Sequence, residues 1–130
     1  MATELSERCS VIEECYEFML GYAGQGLPAE PGRDGQVRDF LARGARAIEA
    51  LEAAIPAGEP YLAFREVVAR DARDSLAAVN LVLAQPAIGS QLIDNLNASI
   101  HLRALLTDLF LIDEILKNQR RHQESPANTA

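Results

Sequence analysis

Apolar residues recur along most of this chain at spacings of three and four, and that recurrence restricts the fold more than any other feature. Leu5, Cys9, Ile12, Tyr16, Met19 and Ala23 form one series. Val37, Leu41, Gly44, Ile48, Leu51 and Ile55 form a second, and Phe64, Val68, Ala72, Leu76, Val79 and Leu83 a third. At about 3.6 residues per turn, each series falls on one face of a helix. A half-buried strand needs alternation with period two. β-branched residues here are sparse and never alternate in that way, while Ala and Leu dominate. The expected class is all-α.

Punctuation between the stripes sets the boundaries. A first helix is expected over residues 3–22, with Thr3 as N-cap and Glu4 and Glu7 suited to the positive end of the dipole. Gly24, Gly26, Gly32 and Gly35, together with Pro28 and Pro31, make residues 24–35 a loop, either mobile or spanning the bundle. A second helix follows over 35–55, with Asp34 as a possible N-cap and Gly44 on its apolar stripe, where another helix can approach closely. Pro56, Gly58 and Pro60 turn the chain. A third helix covers 60–84 with Pro60 in its first turn, and Gln85-Pro86 ends it. The last helix is long, 91–119. These elements predict an antiparallel four-helix bundle forming a single domain over 1–119. Residues 120–130 lose apolar periodicity and are expected to fray or to be disordered.

The last helix is unusual because its apolar face changes side. Leu92, Ile93, Leu96 and Ile100 lie on one side of a helical wheel, and Leu102, Leu105, Leu109, Ile112 and Leu116 lie on nearly the other. One explanation is a kink or restart near 95–100, where Asn95, Asn97 and Ser99 are weak helix-interior residues. The other is a continuous helix with one face in its own bundle and one against a second subunit. Phe110 falls on the polar side among Arg103, Thr107 and Glu114, as an interface residue would. Phe110, Leu92, Leu96 and Ile100 are therefore the candidate interface, and a homodimer through this helix is the expected assembly.

His101 sits at that seam, with Asp94, Asn97 and Asp108 on the same face of a continuous helix. An imidazole among carboxylates suits a metal ligand, a general base or a histidine hydrogen-bonded at the edge of a core. Glu13, Glu14 and Glu17, or Asp71 and Asp74, could approach it from other helices. A carboxylate-bridged metal centre would want Glu-x-x-His, and Ala98 occupies the Glu position. The run NASIHLRALLT has a passing likeness to the phospho-acceptor helix of two-component kinases, which would imply histidine phosphotransfer. It departs from that pattern at Leu102, where an acid should follow the histidine, and it lacks the later proline.

Other classes are disfavoured. A net charge of −7 suits neither phosphates of nucleic acid nor an anionic membrane surface. The glycine-rich loop fits no phosphate-binding spacing. Cys9 and Cys15 are too far apart around a helix to face each other and form no CxxC, so both are read as core residues. The N-terminus has no secretory pattern and no apolar run is long enough to span a bilayer, so a cytoplasmic setting is the default. No cofactor and no catalytic residue is called for. The expectation is a non-enzymatic helical module acting through protein–protein contacts, with a small-ligand or metal site near His101 as the alternative.

Overall fold

A computed structural model describes residues 4–124, and the proposed cap Thr3 lies outside them. The described residues form helices α1 (Glu4–Gly24), α2 (Gly35–Glu49), α3 (Leu62–Leu83), α4 (Ser90–Ala98) and α5 (His101–Glu124), with one 3-10 turn at Glu52–Ala54. The class is all-α. The expected four helices are five, because the last is broken at Ser99 and Ile100. A continuous final helix is thereby excluded.

Of the α3 stripe only Val68 and Val79 are fully buried, whereas α1, α2 and α5 bury most of the stripes that their spacing defines. From α1 the buried residues are Leu5, Cys9, Ile12, Cys15, Met19 and Tyr22; from α2, Val37, Leu41, Ala45, Ala47 and Ile48. Leu102, Leu105, Leu106, Leu109 and Ile112 of α5 enter the same core. Helix α2 stops before residue 55, yet Leu51 and Ile55 stay buried. The chain tightens to hydrogen bonds three residues apart, Leu51 N to Ile48 O and Ala54 N to Leu51 O. Ile55 is then extended, at φ −91° and ψ 136°, as a residue before proline prefers.

Helix α1 packs on α2, α4 and α5, and α3 packs on α2 and α5. Helices α1 and α2 run antiparallel. Arg8 reaches Ala47 while Phe18 stacks on Phe40 at 4.2 Å between ring centres. A Cβ placed on Gly44 would sit 3.0 Å from Cys15 Sγ, so this glycine lets α1 and α2 approach closely. Tyr61 Oη donates to Gln119 Oε1 at 3.4 Å, setting the start of α3 beside the far part of α5. Helix α5 runs on to Glu124, past the expected end at 119, and residues 125–130 lie outside the described range.

The 24–35 loop is tied to the α3–α4 connection. Leu27 N donates to Ser90 Oγ at 2.8 Å, Ser90 N to Leu27 O at 2.9 Å, and Ser90 Oγ to Tyr22 O at 2.6 Å. Asp34 is the residue before α2, but its side chain makes no cap there. Its Oδ2 instead accepts from Ile88 N at 2.8 Å and pairs with Arg38 Nε at 3.1 Å. Arg38 also donates to Leu83 O, at the last residue of α3, at 2.9 Å and to Gln85 O, just past the helix, at 2.5 Å. Arg38 thus caps α3 from α2.

Gly89 is needed here for space rather than for its backbone angles, which are ordinary at φ −98° and ψ 175°. A Cβ would lie 2.8 Å from Ala29 N and 3.0 Å from Leu27 O, both backbone atoms. Gly89→Ala is expected to force loop and connection apart and cost about 2 kcal/mol or more in urea unfolding. Gly58→Ala, with open space around it, is the control and should change stability far less.

Candidate functional site

Ile100 ends one helix and begins the next. Its N–H donates to Asn97 O at 3.2 Å, closing α4, and its carbonyl accepts from Ala104 N at 2.8 Å, opening α5. That double duty demands the left-handed conformation, φ 62°, normally filled by glycine or asparagine. A β-branched residue is strained there. The side chain is 60% exposed, so core packing does not repay the strain.

Ile100 lines an open depression of about 330 Å³ together with Arg103, Ala104, Thr107 and Asp108 of α5. Asp108 is half-buried, and its Oδ2 is enclosed without a hydrogen-bond donor. The group facing it is Asp71 of α3. Burial pushes the Asp108 carboxyl up to about 7, and Asp71 adds to this through a shared side-chain hydrogen bond and through its charge. Two carboxyl groups in contact hold a proton between them, because otherwise two acceptors would face each other with no donor. The proton belongs to Asp108, the carboxyl that burial raises.

The break redistributes the residues singled out from sequence. Asp94 is exposed on α4, and His101 is half-buried at the first position of α5. Asn97 is half-buried with its Oδ1 enclosed and unpartnered. His101 and Asp108 are two turns apart, about 10 Å along the axis, and His101 is not among the groups that act on Asp108. The helical wheel that united Asp94, Asn97 and His101 assumed a continuous helix, and Ser99 and Ile100 interrupt it. Asp71, considered only as a partner for His101, pairs with Asp108 instead. No signal within either helix reveals that pairing, since it depends on the register of α3 against α5.

Among the described residues no three His, Cys, Asp or Glu side chains are placed to hold a metal ion. Cys9 and Cys15 are buried and unpaired. Burial pushes each thiol up to about 11, with Asp113 and Glu13 adding to the effect at Cys9. Both therefore stay protonated and are poor nucleophiles at neutral pH. No described helix is long and apolar enough to cross a membrane. Of the candidate interface residues, Leu96 belongs to this chain's own core at 7% exposure and Leu92 is half-buried. Ile100 and Phe110 are exposed, and so are Leu111 and Ile115.

No family model, curated protein or solved structure matches the chain.

Two outcomes follow for the seam. Because Asp108 holds its proton more tightly when folded, its contribution to stability is greatest at low pH. It declines as pH rises from about 4, where the unfolded carboxyl ionises, to about 7, where the folded one does. Asp108→Asn mimics the protonated acid and can donate to Asp71. It should raise stability at pH 8 by about 1 kcal/mol, allowing for solvent screening, and bring no gain at pH 4. Equal effects at both pH values would count against the shared proton. Ile100→Gly should stabilise the fold by about 0.5–1 kcal/mol, the relieved strain exceeding the added freedom of the unfolded chain. Thermal unfolding measures both.

Proposed function

We propose that this protein is a non-enzymatic helical interaction module that pairs with a second copy of itself through α5. One observation carries the reading. Leu111 and Ile115 stand one turn apart on α5 at 53% and 40% exposure, with Phe110 beside them at 46%. The opposite side of that helix, from Leu102 to Ile112, is already buried in the chain's own core. A helix with one apolar face in its own fold and a second facing out suits association with another helix. A two-fold pairing would set α5 against α5, so that each copy supplies the same three side chains. In this reading α1, α2, α3 and α5 act as a four-helix bundle to which α4 is added, and the setting is cytoplasmic.

The acidic pair favours a second reading, in which the depression at Ile100 takes a small ligand. Asp108 Oδ2 lacks a donor, so such a ligand would bring one, as an amine or ammonium group does. His101 lies outside this version of the site.

Sedimentation equilibrium distinguishes the readings. The wild-type chain should be a dimer at micromolar concentration. Leu111→Glu with Ile115→Glu should be monomeric with unchanged helical circular dichroism, since both positions are exposed. A wild-type chain that stays monomeric at 100-fold higher concentration would end the self-association reading.

A further inference from the structure

A second surface, on α1 and α2, shares no residue with the exposed face of α5. Glu7, Arg8, Val11, Arg43, Arg46 and Ala47 line a groove of about 300 Å³ between the two helices. The chain has 19 acidic and 12 basic residues. Three of those basic residues line this one groove beside Glu7; Arg8 pairs with Glu4 and Arg43 with Asp39, which leaves the Arg46 guanidinium without an ion pair among the described residues.

The arginines are held in place. Arg8 is anchored by Glu4 Oε1, at 3.2 Å from Nε and 3.0 Å from Nη2, and its Nη1 reaches Ala47 O at 3.4 Å. Arg43 lies over the Phe40 ring at 4.3 Å. Its Nε is 3.3 Å from Asp39 Oδ2 but out of line for a hydrogen bond, so this buried N–H has no acceptor. Arg46 is exposed and makes no ion pair with any described residue. Arg8 is anchored by Glu4, Arg43 is held by Asp39 and the Phe40 ring, and Arg46 is free to close over a ligand. Val11 and the Ala47 methyl supply an apolar floor.

The geometry points to a binding site for a small organic phosphate monoester. A guanidinium presents planar forked donors that match phosphate oxygens. A phosphate dianion offers three acceptor oxygens, enough to engage three arginines, where a monocarboxylate offers two. Its organic part would lie on Val11 and Ala47. Glu7 opposes the ligand's charge, which keeps the affinity moderate and gives the site a second handle for testing.

The test is calorimetric titration of the full-length protein with phenyl phosphate, inorganic phosphate and benzoate at low ionic strength. Phenyl phosphate should bind at least tenfold more tightly than either of the others. Arg46→Gln, an exposed change that leaves the fold intact, should weaken phenyl phosphate at least tenfold. Glu7→Gln should strengthen it about threefold. Equal binding of phenyl and inorganic phosphate would overturn the organic part of the assignment, and tighter binding of benzoate would overturn the phosphate. Absence of binding, or binding indifferent to both substitutions, would overturn the site itself.

Discussion

The ion pair between Asp34 and Arg38 is the interaction on which the arrangement of the other elements depends. Asp34 is buried at 5% exposure, and a buried carboxylate is costly unless its oxygens are satisfied. Arg38 supplies the main compensation and holds the carboxyl below the usual carboxylate range, with the Ile88 N–H helping. Arg38 in turn spends its remaining donors on the two carbonyls that close α3. One pair therefore joins the α1–α2 loop, the end of α3 and the entry to α4. Tyr22 adds a further tie by donating to Ile88 O at 2.6 Å. Removing Arg38 would leave Asp34 as an uncompensated buried charge, which costs more than the intact pair contributes. That asymmetry explains why a loop rich in glycine and proline is held in one place.

The two perturbed aspartates act in opposite directions with pH. Asp34 is lowered, so its contribution is present above the unfolded value and is lost as pH falls. Asp108 is raised, so its contribution is lost as pH rises toward about 7. The difference lies in what faces each group, a guanidinium in one case and a second carboxyl in the other. A chain with a net charge of −7 already repels itself at neutral pH. A pair of carboxyl groups packed between α3 and α5 adds to that at one point rather than over the whole surface.

What the sequence discloses is whatever depends on neighbours in the chain. The stripes of α1, α2 and α5, the breaks at Gly24 and Gln85, and the weakness near Ser99 all follow from local spacing and local propensity. Gly44 was legible too, because a glycine within an apolar stripe has few other uses. The role of Asp34 was not. Its position before a helix suggests a cap, and only the distant Ile88 and Arg38 draw it elsewhere. Nothing at Ile100 announces a left-handed residue, since its type argues against one. The same break undid the grouping of His101 with Asp94 and Asn97, because a helical wheel holds only while the helix continues. Asp71 and Asp108 lie in separate helices, so their pairing needs the packing register as well.

The acidic pair and the exposed face of α5 are close enough to influence each other. Asp108 and Leu111 are three residues apart on one helix, which makes them neighbours on its surface. If α5 pairs with a second copy as proposed, Leu111 loses its water and part of the solvent still reaching Asp108 goes with it. Desolvation already contributes most to raising Asp108, so association would raise it further. By linkage, a carboxyl that gains affinity for its proton on association makes association stronger where the proton is present. Pairing through α5 would then be favoured on the acid side of neutrality and weakened above it. The reason is local, since the charge that opposes pairing sits one turn from the side chains that drive it.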